Sequence, residues 1–257
     1  MRVLTAALVL VCGCGPTGLQ GDGPTEQEFL SKVLAPDLLQ YAHVEVASRD
    51  SIALVDDGLE LKVFPGQPKV NGGIRAEVSV DFPFVDGDTV RYEWSFWLPG
   101  DFKPDPSNRW WVFADFHDQP DRTKGETWDG FPSNSAPLIL GYGHVKAGFE
   151  DQGFSVKDTS DVLSVTYGTD YRAIALVPFT REAWHRVRLD VTWSQSMTGA
   201  LTMTFDGAKV VSANGPNMLN AFQHYFKAGM YRDPGIGSFN RVRLSNVVIS
   251  KCATTGC

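Results

Sequence analysis

The sequence predicts an all-β protein, built as a two-sheet antiparallel sandwich or jelly roll with one short helix at its N-terminal end. Apolar and polar residues alternate with a period of two over several segments, which is typical of half-buried strands. These segments follow one another without helical segments between them, which favours antiparallel pairing. The 25 Gly and 15 Pro among 257 residues supply the turns that such a fold needs.

The first residues predict export. Residues 1–13 hold one Arg and an apolar run that is too short to span a bilayer, as in a secretory signal peptide. Cys14 follows a stretch similar to a bacterial lipobox, so we expect a lipid anchor there, with ordinary secretion or a buried N-terminal segment as alternatives. The chain is then a secreted protein or an outer-surface or periplasmic lipoprotein of a bacterium. Residues 14–25 are expected to form a flexible tether, and residues 26–257 a single domain.

One helix is predicted at the start of this domain. Thr25 and Glu28 have the spacing of a capping box, and Phe29, Val33 and Leu34 recur at helical spacing until Pro36. From about residue 44 the period changes to two. Alternation or a continuous apolar run then predicts strands at residues 74–82, 92–98, 187–193, 201–205 and 242–249. Residues 118–135 and 148–161 are expected to form long loops.

Composition excludes some functions. The net charge of −7 argues against a general nucleic-acid binder, and no internal apolar run is long enough for a membrane span. The charge is uneven, since residues 1–150 hold 12 Lys+Arg and 22 Asp+Glu, whereas residues 151–257 hold 11 and 8. No spacing of Cys and His residues resembles a zinc site. We expect the protein to be a monomer. Cys252 and Cys257 either close a short disulfide loop or remain unpaired thiols.

Strand alternation assigns titratable and aromatic side chains to shared faces. In residues 74–82, one face should carry Arg75 and Glu77. In residues 110–117, one face should carry Trp111, Phe113, Asp115 and His117, and in residues 225–231 one face should carry Tyr225, Lys227 and Tyr231. If the three faces belong to one sheet, cations, a histidine and tyrosines line one surface. Aromatic rings stack on sugars and cations bind carboxylates, so this surface suits an acidic polysaccharide. A uronate can be cleaved there by β-elimination, in which a base removes the proton beside the carboxylate and an acid protonates the departing oxygen.

Several segments resemble a known family. Residues 225–232, with the sequence YFKAGMYR, resemble a signature of jelly-roll alginate lyases. Residues 91–99 together with His117, Trp184 and Trp193 are more similar to the glucuronan lyase and heparin lyase I group on the same fold. The Arg75-x-Glu77 strand resembles one that these enzymes share. The resemblance spans about residues 74–249.

This resemblance implies a concanavalin A-like β-jelly roll and a polysaccharide lyase acting on a uronic-acid-containing polymer. His117 would be the base or the neutral partner at the reacting carbon, and Tyr231 the acid, or base and acid together. The substrate-binding residues would be Arg75, Glu77, Asp115, Lys227, Tyr225 and Trp111, with Glu77 orienting Arg75. The mechanism requires no cofactor, although members of the group can carry a structural calcium ion. The partner would be the acidic polysaccharide itself.

One position departs from the family, in which a Gln usually stands where this chain has Asp115. An ionised Asp would repel the substrate carboxylate. Asp115 is therefore protonated, or another side chain such as Asn134 or Gln119 takes over, or activity is lost or redirected. Two other functions remain open: a non-catalytic, lectin-like jelly roll, and a hydrolase that uses two carboxylates, for which we find no matching strand motif.

Overall fold

The computed structural model describes residues 18–146, 148–151, 153–156, 158 and 160–253. The predicted signal peptide, Cys14 and Cys257 lie outside these residues. Cys252 is disulfide-bonded, so it is not a free thiol. The later part of the predicted tether lies against the domain, since Arg49 donates hydrogen bonds to the carbonyl oxygens of Leu19 at 2.7 Å and Pro24 at 2.7 Å.

The predicted N-terminal helix is α1 (Glu26–Ser31), and its capping box is present. The Glu28 amide donates to Thr25 Oγ1 at 3.2 Å, and the Thr25 amide donates to Glu28 Oε2 at 2.6 Å. The helix ends earlier than the apolar spacing predicts. Short 3₁₀ helices follow at Pro36–Tyr41, Arg49–Ser51 and Arg122–Lys124.

Sixteen strands are present in the described residues. They are β1 (Ala42–Val46), β2 (Ile52–Val55), β3 (Gly58–Val63), β4 (Ile74–Val80), β5 (Thr89–Trp97), β6 (Trp111–His117), β7 (Leu138–Val145), β8 (Phe149–Asp151), β9 (Phe154–Val156), β10 (Ser160–Tyr167), β11 (Arg172–Phe179), β12 (Trp184–Thr192), β13 (Ala200–Phe205), β14 (Ala208–Asn214), β15 (Tyr225–Arg232) and β16 (Asn240–Lys251).

The described strands form two seven-stranded antiparallel sheets and one small hairpin, which confirms the predicted two-sheet antiparallel sandwich. The site sheet has the order β1-β4-β15-β6-β7-β10-β11, and the back sheet has the order β14-β13-β12-β5-β16-β3-β2. We call the surface of the site sheet that faces away from the back sheet the site face. The predicted loop at residues 148–161 contains a small hairpin, β8–β9, so that prediction is wrong in part.

The core between the sheets is rich in aromatic side chains. Tyr92 of β5 packs edge-on against Phe116 of β6 at 4.8 Å between ring centroids, and Phe116 lies 5.0 Å from Phe226 of β15. Trp193 donates from Nε1 to the Tyr92 hydroxyl at 3.0 Å, so the polar groups of these two buried rings are hydrogen-bonded to each other. Burying each such side chain stabilises the fold by about 1.5–3 kcal/mol. The sheets are thereby held in register, and the opposite side of the site sheet is free to carry polar groups.

The predicted long loop at residues 118–135 is anchored at its start. The Gln119 side chain is buried and donates from Nε2 to Asp81 Oδ1 at 2.6 Å, while Asn220 donates from Nδ2 to the Gln119 carbonyl oxygen at 2.8 Å. The loop therefore begins at a fixed position beside the end of β6. Within the part of the chain that the structure describes, no helix is long and apolar enough to cross a membrane.

Candidate active site

Polar side chains of four neighbouring strands lie together on the site face. Along β15, Tyr231 is opposite Arg75 of β4, Lys227 is opposite Asp115 of β6, and Tyr225 is opposite His117. Side chains directly opposite each other in an antiparallel pair are within contact distance. The structure therefore brings together seven of the eight residues that the sequence selected: Arg75, Glu77, Asp115, His117, Tyr225, Lys227 and Tyr231.

Trp111 is the exception, and its predicted position on this face is wrong. Strand β6 has a β-bulge between Val112 and Ala114, which adds one residue and reverses the alternation of side chains before it. Trp111 is consequently only 3% exposed and packs in the core. Its ring lies 5.2 Å from Cζ of Arg232, a buried cation that donates from Nη1 to Asn240 Oδ1 at 3.0 Å.

The same bulge places Trp110 outside. Strict alternation assigns Trp110 to the core, but the side chain is 44% exposed. Its ring meets the Tyr231 ring edge-on, with 4.7 Å between centroids. The aromatic platform beside Tyr231 is thus Trp110, one residue away from the tryptophan that the sequence selected.

Glu45 of β1 is the centre of a buried ion cluster. Its Oε1 lies 2.8 Å from Lys227 Nζ and 3.3 Å from His43 Nε2, and its Oε2 lies 3.1 Å from Arg75 Nη1. Burial acts to raise the pKa of Glu45, but the hydrogen bond from His43 and the charges of Lys227 and Arg75 outweigh it and hold the pKa well below its ordinary value. Glu45 fixes both cations in place.

Glu77 lies fully buried beneath this cluster. Arg75 Nη1 donates to its Oε2 at 3.3 Å, whereas its Oε1 has no hydrogen-bond partner among the described residues. Burial raises the pKa of Glu77 to about 7. The residue opposite Glu77 on β15 is Gly229, with φ of +144°, and a Cβ there would lie 2.4 Å from the Ala76 carbonyl oxygen. Glycine is required for this close approach.

His117 has acceptors at both ring nitrogens. Nδ1 lies 3.0 Å from the Asp118 carbonyl oxygen and 2.6 Å from Asp118 Oδ1, and Nε2 lies 2.9 Å from the Asn134 carbonyl oxygen. A carboxylate and a carbonyl oxygen only accept hydrogen bonds, so both nitrogens donate and the ring is an imidazolium. Burial acts to lower the pKa of His117, but the hydrogen bonds and charge of Asp118 outweigh it and raise the pKa. In this conformation His117 carries positive charge and has no free lone pair for a proton.

Tyr231 lies at the other end of the site face. Cζ of Arg75 is 4.3 Å from the centroid of its ring, and the ring is half-buried. Gly73, just before β4, closes the other side, since a Cβ there would lie 2.4 Å from Tyr231 Cε2 and 2.9 Å from Arg75 Nη2. Arg75, Trp110 and Gly73 together fix the orientation of the Tyr231 ring.

Tyr225 is close to His117 rather than to Tyr231. Its ring is stacked with the imidazole at 5.7 Å between centroids, and Lys227 Nζ lies 4.7 Å from the Tyr225 centroid. Burial, with added repulsion from Asp115 and Glu45, raises the pKa of Tyr225. Tyr225 is therefore a neutral phenol that contributes a ring and a hydroxyl.

Neither amide that the sequence offered as a substitute at Asp115 is free in this structure. The Gln119 amide is bonded to Asp81, and Asn134 donates from Nδ2 to Asp118 Oδ2 at 3.2 Å. Asp115 itself is 7% exposed, and its Oδ1 has no hydrogen-bond partner among the described residues. Burial raises the pKa of Asp115.

The sequence reasoning missed Glu45 as well as Trp110. The available signal was a charged residue between Val44 and Val46, both of which are buried on the opposite face of β1. Among the described residues, no group of three or more His, Cys, Asp or Glu side chains is arranged to hold a metal ion.

The sequence profile of the polysaccharide lyase family matches residues 39–247, which is most of the chain. The chain belongs to this polysaccharide lyase family. The family membership confirms the predicted enzyme class, a lyase that acts on polysaccharides. A comparison of the lyase with curated proteins gives no match.

Solved structures similar to the lyase have the same fold. The endo-β-1,4-glucuronan lyase from the fungus Trichoderma reesei is 21% identical with a TM-score of 0.52, over 82% of this chain and 87% of that one. The marine PL7 alginate lyase AlyA1 from Zobellia galactanivorans is 14% identical with a TM-score of 0.52, over 80% and 82%. Alginate lyase AlyC3 is 12% identical with a TM-score of 0.53, over 80% and 78%. These likenesses confirm the predicted jelly roll.

Proposed function

We propose that this lyase cleaves a uronic-acid-containing polysaccharide by β-elimination, with Tyr231 as the proton-transfer residue. The observation that carries this proposal is the pairing of Tyr231 with Arg75, whose guanidinium carbon lies 4.3 Å from the phenol ring centroid. A half-buried proton-transfer group and a buried, fixed positive charge are thereby side by side. Elimination from a uronate needs both groups, because negative charge develops on the carboxylate as the neighbouring carbon loses its proton.

In this mechanism Tyr231 removes the proton from the carbon beside the carboxylate and returns a proton to the departing glycosidic oxygen. Electrons of the broken C–H bond form the new double bond as the C–O bond breaks, so no oxidant or cofactor is consumed. We assign the base role to Tyr231 rather than to His117, because both His117 ring nitrogens are occupied by acceptors. As an imidazolium paired with Asp118, His117 contributes a polar ring beside Tyr225 rather than a base.

The shape of the site supports a polymeric substrate. Tyr225 and Tyr231 are six residues apart on the same face of β15, which corresponds to roughly 20 Å of extended strand. Exposed rings lie at both ends: Trp110 beside Tyr231, and Trp128, which is 6.3 Å from Tyr225. Such rings stack on sugar faces. A surface of this length suits a chain of several sugars rather than a single one.

The proposal is tested by incubating the protein with glucuronan, alginate and heparin-type polymers. The first two are the substrates named for the structurally similar lyases. We expect unsaturated uronate products, detected by their ultraviolet absorbance, from at least one polymer. Saturated products would indicate hydrolysis, and binding to immobilised polymer without any product would indicate a lectin-like role. Either result contradicts the proposal.

Gly73→Ala is expected to lower kcat by about 10²-fold with little loss of thermal stability. The added methyl group displaces the Tyr231 ring and the Arg75 guanidinium, and displacements of this size at a reacting group have such effects. The rate is measured on the polymer that the screen identifies. Gly237→Ala is the matched control, since a Cβ there meets nothing within 4 Å. Equal rates for the two variants would show that the packing of Gly73 does not position Tyr231.

A further inference from the structure

The buried cluster on the site face contains more carboxyl groups than cations. Glu45, Glu77 and Asp115 are at most 7% exposed, and the two permanent cations among them are Arg75 and Lys227. The ion pairs of these cations within the described residues all go to Glu45 and Glu77, at 2.8 to 3.3 Å. Asp115 has no ion pair within 4.0 Å in this part of the chain.

Other charged or titratable groups do not compensate Asp115. His117 on the same strand is positively charged, but Asp118 Oδ1 lies 2.6 Å from its Nδ1 and balances that charge. The remaining charged or titratable groups near Asp115 belong to three strands. They are Tyr225, Lys227 and Tyr231 on β15, Arg75 and Glu77 on β4, and His43 and Glu45 on β1. One carboxyl group of the cluster is therefore in surplus, and a buried, unpaired carboxyl group remains protonated.

We propose that Asp115 is this neutral carboxylic acid and that its hydroxyl donates a hydrogen bond to the carboxylate of the bound uronate. This inference rests on the proposed function. An anion that enters beside three carboxyl groups needs a donor that is not already used. The two cations are held by Glu45 and Glu77, and the amides of Gln119 and Asn134 are bonded to Asp81 and Asp118.

Asp115 has the right position, and one of its oxygens is buried without a hydrogen-bond partner in the described part of the chain, which a neutral carboxyl group tolerates better than a carboxylate. It is directly opposite Lys227, and its Oδ1 has no partner among the described residues. Burial raises the pKa of both Asp115 and Glu77, in agreement with a proton kept within this pair. A hydrogen bond from a carboxylic acid to a carboxylate is short and charge-assisted, so it serves an acidic substrate well. The bound uronate adds one more negative charge, so binding is coupled to uptake of up to one proton from solvent.

The inference is tested with the Tyr231→Phe protein, whose expected loss of turnover leaves time to measure binding of intact substrate. Calorimetric titration with glucuronate and mannuronate/guluronate oligosaccharides, in two buffers of different ionisation enthalpy, measures the protons taken up on binding. We expect uptake that rises with pH, and a Kd that increases up to about tenfold per pH unit once Asp115 is ionised in the free protein. The substitution Asp115→Asn, added to Tyr231→Phe, keeps a hydrogen-bond donor but cannot titrate. It should leave the Kd at low pH within a few-fold of that of Tyr231→Phe alone, and it should abolish proton uptake on binding.

Adding Asp115→Leu, which has no donor, should weaken binding at least tenfold at every pH. Asp190→Asn is the matched control, because Asp190 pairs with Arg91 on the back sheet and should change nothing. Circular dichroism checks that each variant is folded. Binding without proton uptake, or a loss in Asp115→Asn as large as in Asp115→Leu, overturns this inference while the proposed function stands. No binding and no cleavage of any uronan overturns both.

Discussion

Replacing Tyr231 by Phe is expected to lower kcat by about 10²–10⁴-fold, which is the usual contribution of a positioned acid–base group. The substitution removes only the hydroxyl, so the ring still contacts Arg75 and Trp110 and the fold is unchanged. The rate is measured by the absorbance of unsaturated products under saturating substrate. Because Tyr231 transfers protons in this mechanism, kcat should fall while KM changes little.

Two controls make this result specific. Tyr171→Phe removes a hydroxyl from an exposed tyrosine in a turn after β10 and should leave the rate unchanged. Tyr225→Phe keeps a ring beside His117 and should affect KM more than kcat. If Tyr225→Phe abolished turnover and Tyr231→Phe did not, the catalytic tyrosine would lie at the opposite end of β15 from the one proposed.

Glu45→Gln is expected to lower the free energy of unfolding by about 3–5 kcal/mol near neutral pH, because it leaves two buried cations without their shared carboxylate. Urea unfolding of both proteins measures the difference. Glu60→Gln, which removes a partly exposed partner of Arg243, should cost less than about 1 kcal/mol. Equal stabilities of the Glu45→Gln and Glu60→Gln variants would contradict this account.

The pH dependence of stability should differ between these proteins in a defined direction. The pKa of folded Glu45 is below the ordinary value of 4.5, so the unfolded chain binds more protons at this residue. Its stabilising effect is complete above pH 4.5 and is lost as the pH falls. Glu77 has the opposite sign, since its raised pKa makes its contribution fall as the pH rises from 4.5 to about 7. Glu45→Gln should therefore show a smaller acid-side loss than the parent protein, and the remainder comes from other carboxyl groups with a lowered pKa, such as Asp118 and Asp161.

Much of the fold could be predicted because a strand with one buried face leaves a period-two pattern. The pattern assigned the inward side chains of β5 and β12 correctly, and it placed Lys227 and Tyr231 together on β15. The capping box at Thr25 could likewise be predicted from the sequence, because it depends on residues only three positions apart. Such local rules carry their information within a few residues of sequence.

The rest of the site depends on relations between distant residues. Glu45 is 30 residues from Arg75, and no motif links them, so only the β1–β4 pairing shows that they meet. The bulge that places Trp110 rather than Trp111 on the site face contains no glycine or proline that would indicate it in the sequence. The charge state of Asp115 likewise depends on which cations its neighbours use, which only the assembled cluster shows.

The extra residue in β6 also affects how this chain is compared with its relatives. Consider a relative whose corresponding strand has no bulge. If its sequence is aligned with β6 without a gap, each residue before the bulge is paired with a residue whose side chain lies on the opposite face of the sheet. A one-residue gap near Phe113 restores the correspondence, and it moves the tryptophan to be compared from Trp111 to Trp110. Deleting Phe113 would remove the bulge from the protein itself, and continuous alternation from Ala114 would then keep Trp111 inward and Trp110 outward. The aromatic side chain beside Tyr231 is thus determined by the bulge in β6 as much as by residue identity.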